Sequence, residues 1–112
     1  MKSNIEKIKN YGLDLDYIGD ISPFELIGTL ILRDDIAKAD LTFREKALLK
    51  SYDKKLLENA ENFYNELKKV YDFQNRKPLD YWWSNIDLVV NGEIIVDIDN
   101  NKVWHTEKKL RA

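Results

Sequence analysis

A mainly α fold is what this sequence predicts: a small helical bundle around one long central helix, with a short C-terminal β-hairpin. Three observations carry that expectation. Leu49, Tyr52, Leu56, Ala60, Phe63, Leu67 and Val70 follow one another in steps of three and four, which puts them on one face of a 3.6-residue helix. Two stretches, Ser22-Pro23-Phe24-Glu25 and Thr42-Phe43-Arg44-Glu45, carry the hydroxyl and the glutamate of a capping box. Near the C-terminus, Val96, Asp97, Ile98 and Asp99 alternate apolar and acidic ahead of an Asp-Asn-Asn turn, the pattern of a half-buried strand entering a hairpin.

The central helix is expected over about 43–73. Thr42 caps it, Glu45 closes the box, and Leu48, Leu57, Tyr64 and Tyr71 widen its stripe. Nothing in it breaks a helix before Pro78, so it should run about 30 residues and about 45 Å at a rise of 1.5 Å per residue. A short helix over about 4–11 precedes it, opened by Ser3 and Glu6 and stopped at Gly12. Leu13 to Ile21 reads as a connection, with a short extended piece where Asp14 and Asp16 alternate with Leu13 and Leu15. The second helix starts at Ser22, has Pro23 in its first position, and ends near Ala39. It is apolar over most of its circumference (Phe24, Leu26, Ile27, Leu30, Ile31, Leu32), as buried helices are. Gly28 would let the central helix approach closely, in an antiparallel hairpin joined by a short turn.

Residues 74–78 form a polar linker. Beyond them two readings stand side by side. In one, Leu79 to Asn91 is a fourth helix ended by Gly92. In the other, residues 86–90 and 93–98 are strands joined by Asn91-Gly92, a dipeptide suited to positive φ, and residues 86–106 make a three-stranded meander in an α+β fold. Both contain the later hairpin of Ile94–Ile98 and Val103–Thr106. A charged tail follows at 107–112.

A chain of 112 residues fits a single domain, 1–112, able to bury roughly two-thirds of its unfolded surface. It has no cysteine, which removes thiol chemistry and thiolate metal sites and fits a reducing compartment. No early apolar run resembles a signal peptide, and no stretch approaches 18 apolar residues. The expectation is a small soluble cytoplasmic domain with no membrane association. The net charge of −2 is unlike that of a strongly basic nucleic-acid binder. The basic excess is local: residues 41–78 carry 9 basic and 6 acidic side chains.

Catalytic signals are few. The one histidine, His105, stands in the expected last strand, and no serine occupies a nucleophile elbow. Glycines 12, 19, 28 and 92 build no phosphate loop. The Asp-x-Asp pairs, Asp14/Asp16 and Asp97/Asp99, read as solvent-facing carboxylates. Asp97, Asp99 and Asn101 begin like a calcium loop, but Lys102 and Lys108 replace its glycine and its bidentate glutamate. No catalytic residue, metal or cofactor is assigned.

The stretch Asp87-Leu88-Val89-Val90-Asn91-Gly92-Glu93-Ile94-Ile95-Val96-Asp97-Ile98-Asp99 resembles the core hairpin of the PD-(D/E)xK nucleases. That resemblance implies magnesium ligands at Asp87 and Asp97. It departs from the family at Asp99, where the family's water-positioning lysine should stand, with Lys102 in a shifted position.

Two surfaces are candidates for partners. Tyr81, Trp82, Trp83 and Trp104 concentrate aromatic area in one segment, of the kind enriched at interface hot spots, although core packing claims such residues too. Lys46, Lys50 and Lys54 stand four apart on the central helix, a ridge that can meet phosphates or an acidic protein. The expected function is a non-enzymatic protein-interaction module: a small regulator, an inhibitor or antitoxin-like protein, or an assembly subunit. Its partner would be another protein or itself, as an oligomer. The alternatives are a nucleic-acid binder through the lysine ridge and a metal-dependent nuclease-like hairpin.

Overall fold

The computed structural model of the chain describes residues 4–106. Ser3 and the charged tail lie outside the described residues. Five α-helices and one hairpin follow in order: α1 (Asn4–Asp16), α2 (Pro23–Ala37), α3 (Phe43–Glu58), α4 (Ala60–Leu67), a 3-10 turn (Trp82–Asn85), α5 (Ile86–Val90), β1 (Ile94–Asp97) and β2 (Lys102–His105).

Both capping boxes form. At α2 the Ser22 hydroxyl accepts from Phe24 N–H at 3.2 Å, and Glu25 accepts from Ser22 N–H at 3.0 Å. At α3, Thr42 accepts from Glu45 N–H at 3.2 Å while Glu45 accepts from Thr42 N–H at 2.8 Å. These bonds meet donors that the first turn of a helix leaves without intrahelical partners.

One long helix over 43–73 does not form. It divides at Asn59 (φ −110°, ψ 19°) and ends at Leu67. The Asn59 side-chain amide donates to the Lys55 carbonyl at 2.9 Å. The Asn59 backbone N–H lies 3.1 Å from both the Lys55 and the Leu56 carbonyl oxygens. A short amide side chain offers the backbone an alternative to the regular ladder, and the helix is interrupted at this one residue. The buried stripe stays in phase across the interruption, through Leu49, Asp53, Leu56, Ala60, Phe63 and Leu67. α3 packs on α1, and α4 packs on α2 and α5. The expected α2–α3 hairpin is joined chiefly by long side chains instead. After α4 the chain turns back, and Phe73 meets Tyr71 at 4.9 Å and Tyr64 at 5.6 Å between ring centroids.

The first helix passes through Gly12 instead of stopping there and takes in Asp14 and Asp16, where an extended piece was expected. Gly12 is the close-approach glycine: a Cβ on it would stand 2.5 Å from Tyr52 Cζ. Gly28, to which the sequence reading gave that role, faces open space.

Residues 86–90 are helical, so the meander is not built. Gly92 ends the segment with φ +74°. The hairpin pairs Ile94 with His105, Ile95 with Trp104, Val96 with Val103 and Asp97 with Lys102. Asn101 supplies the positive φ of its turn. The Asp97 carboxylate accepts from Asn100 N–H and Nδ2 at 3.2 and 2.8 Å, which lowers its pKa. Ile8, Tyr11, Leu26, Ile36, Leu56, Phe63, Leu67 and Ile86 are fully enclosed in the core. Each aliphatic or phenyl member contributes about 1.5–3 kcal/mol by leaving water. No described helix is long and apolar enough to cross a membrane.

Candidate functional site

Arg33 and Asp53 occupy positions on the buried faces of α2 and α3 that the helical period reserves for apolar side chains. Arg33 stands three residues from both Leu30 and Ile36. Asp53 stands four after Leu49 and three before Leu56. Their side chains meet in a two-pronged ion pair, Nε to Oδ1 at 3.0 Å and Nη2 to Oδ2 at 2.9 Å. The Tyr11 hydroxyl of α1 donates to Asp53 Oδ1 at 2.7 Å. Three helices thus converge on one carboxylate. Burial, and then the charge of Asp53, push the Tyr11 pKa well above its ordinary value of 10.0, so the phenol stays a donor. The guanidinium lies 3.9 Å from the Trp83 ring centroid and 5.8 Å from that of Tyr11. Two of its nitrogens are satisfied by Asp53. The third, Nη1, is buried with no hydrogen-bond acceptor.

Trp83 extends the network outward. Its indole N–H donates to Asp34 Oδ1 at 2.7 Å, and Lys77 Nζ donates to Asp34 Oδ2 at 3.1 Å, which raises the Lys77 pKa. On the far side of the 3-10 turn, Arg76 grips Asp87 with two bonds of 2.7 and 3.1 Å. Fully buried Asn85 donates to the carbonyls of Lys77, Pro78 and Tyr81 at 3.1–3.3 Å. The linker expected over 74–78 is therefore pinned from both ends.

Between this junction and the hairpin lies a cleft of about 660 Å³. Arg33 and Asp53 line it, as do Tyr81, Trp82 and Trp83, with Lys46 and Lys50 from α3 and Lys102 from β2. Asp80 and Asp97 bring the opposite charge to the same walls.

The residues nominated from sequence fall into different places. Trp82 and Trp83 are core residues, each under 5% exposed; Tyr81 is half-buried. Trp104 is exposed on the hairpin beside its cross-strand partner Ile95. Lys46, Lys50 and Lys54 are all on the surface, but Lys54 is paired with Asp99 at 2.9 Å, so two lysines of the ridge face the cleft. Asp14 accepts from Thr29 at 2.8 Å, and Asp16 pairs with Lys55. Asp87, expected in a strand by the nuclease resemblance, is helical and held by Arg76. His105 is exposed. Among the described residues no three His, Asp or Glu side chains gather into a metal-ligating group.

Sequence reasoning missed the Arg33–Asp53–Tyr11 junction. Its signal was present as opposite charges standing on two apolar stripes. It also missed the outer face of α2. There Phe24 is 69% and Ile31 59% exposed, on the same side as open Gly28 and flanked by half-buried Ile27 and Leu32. Comparison with protein-family models, curated proteins and solved structures finds no match to this chain.

Proposed function

We propose that this protein is a non-enzymatic interaction module that docks another protein on the outer face of α2. One observation carries the reading. α2 already buries Leu26, Leu30 and Ile36 on its inner side, yet its outer side presents Phe24 and Ile31 around an open glycine. A helix apolar on both sides is ordinarily covered on both, and contiguous exposed apolar surface marks contact sites. With no lysine or arginine between Phe24 and Leu32, this face suits an apolar helix lying along it in the helix-in-groove manner. Its charges are acidic, Glu25 and Asp35, both exposed, which disfavours nucleic acid as its partner. Ile95 and Trp104 on the hairpin add a second, smaller apolar pair.

The test is affinity capture from the native cell together with sedimentation of the purified chain, each repeated with Phe24→Asp/Ile31→Asp. Both positions are exposed, so the fold should tolerate the change. The expected result is one stoichiometric protein, or a dimer of this chain, that is lost in the double variant. A monomer that captures nothing, or capture that the double variant leaves intact, overturns the proposal.

A further inference from the structure

The outer face of α2 is close to its own complement when a second α2 is laid on it in the reverse direction. The apolar residues of that face run from Phe24 to Leu32, and Gly28, with open space above it, stands at their middle. If two antiparallel copies cross at Gly28, residue 24 of one comes within about 1.5 Å, along the axis, of residue 31 of the other. Each exposed Phe24 then meets an exposed Ile31, and the bare glycines let the two backbones approach. The charges select the same direction. Asp35 and Lys38 lie at one end of the face, and Asp20 lies at the other, in the turn that leads into α2. All three are exposed, and among the described residues none of them makes an ion pair. An antiparallel pair carries each Lys38 to the Asp20 end of the copy. It also holds the two Glu25 residues about 9 Å apart along the axis, and the two Asp35 residues about 21 Å apart. A parallel pair would set Glu25 on Glu25, Asp35 on Asp35 and Lys38 on Lys38.

From this we infer that the occupant of the α2 face is a second copy of this chain, in a two-fold antiparallel pair centred on Gly28. The inference rests on α2 being the docking face and names what covers it. A two-fold dimer needs a patch that is its own complement, because every contact in it is made twice. Here the apolar centre and the charged ends both meet that condition. The patch is small. A single helix face falls within the range of about 300–600 Å² usual for the largest apolar patch of a monomer, below the about 800 Å² per partner of a standard interface. The pair is therefore weak and reversible, with a Kd on the order of 100 μM.

The experiment joins sedimentation equilibrium of the full chain, from about 1 μM to about 1 mM, with disulfide trapping. The chain has no cysteine of its own, so single-cysteine variants report one position each. A disulfide needs Cα atoms within about 7 Å. Gly28→Cys should therefore cross-link under mild oxidation, and Asp35→Cys, about 21 Å from its copy, should not. In sedimentation the parent should dimerise as concentration rises, and Phe24→Asp/Ile31→Asp should stay monomeric. Lys38→Glu should weaken the dimer about fivefold, the effect of two symmetric rim pairs, and Lys38→Glu combined with Asp20→Lys should recover it. The inference is overturned by a chain that is monomeric throughout, by a dimer that survives Phe24→Asp/Ile31→Asp, by Asp35→Cys cross-linking as readily as Gly28→Cys, or by a charge swap that recovers nothing. A monomer that still captures another protein through Phe24 and Ile31 overturns the second copy and leaves the docking reading in place. A monomer that captures nothing removes both.

Discussion

The helices α3 and α4 continue one buried stripe past the interruption at Asn59, but they bury different chemistry. α3 encloses Glu45 and Asp53 along with Leu49 and Leu56; α4 encloses only Ala60, Phe63 and Leu67. The first half is held by directional bonds to α1 and α2, the second by volume against α2 and α5. The same periodicity therefore supports two kinds of stability. In the polar half each atom must find a particular partner. In the apolar half any side chain of suitable size will serve.

Asp53→Ala breaks the comparison most sharply. It leaves the Arg33 charge buried and unpaired, and should lower the unfolding free energy by about 3–5 kcal/mol in a urea titration. Phe63→Leu, in the apolar half, should lose less than about 2 kcal/mol. Arg33→Met combined with Asp53→Leu should recover most of the loss, because removing both charges removes the desolvation penalty. If Asp53→Ala is no worse than Phe63→Leu, the two halves do not differ as argued.

Tyr11→Phe should lose about 2 kcal/mol, the size of a hydrogen bond to a charged group. It also alters the pH profile. The Tyr11 pKa is raised in the folded chain above its ordinary 10.0. Its contribution to stability is therefore fully present below about pH 10 and lost as pH rises through the folded value. Thermal melts between pH 9 and 12 should show the parent losing stability more steeply than Tyr11→Phe.

The smallest effects separate the two helical glycines. Gly12→Ala forces the Tyr52 ring to move. Overpacking of about 1–3 kcal/mol exceeds the helix-propensity gain of about 1 kcal/mol, so the melting temperature should fall. Gly28→Ala meets nothing within 4 Å and should gain up to about 1 kcal/mol. Reversed signs would show that the close approach belongs to α2 after all.

What could be read from the sequence was local. The boxes at Ser22/Glu25 and Thr42/Glu45 are complete within four residues, and both form. The hairpin turn is likewise contained in residues 97–102. The interruption at Asn59 goes with a side chain that bonds a carbonyl four residues back, which helical periodicity does not register because the stripe keeps its phase. The role of Gly12 depends on Tyr52, forty positions away. Arg33 and Asp53 each read as the edge of a polar segment when taken alone. Their meaning lies in facing each other. The exposed side of α2 was misread for a related reason: apolar composition says that a face wants to be covered, and says nothing of what covers it.

The Arg33–Asp53–Tyr11 junction also bears on the order of events as the chain assembles. The closure from α5 to the hairpin joins near neighbours, with Glu93 N–H on the Leu88 carbonyl and Thr106 N–H on the Glu93 carbonyl, and such short loops close fast. The junction joins residues 20 and 42 positions apart and completes its bonds only once three helices have docked and water has left. If the contact forms late, it acts as a latch on an already assembled body, and Asp53→Ala should speed unfolding more than it slows refolding in a urea chevron.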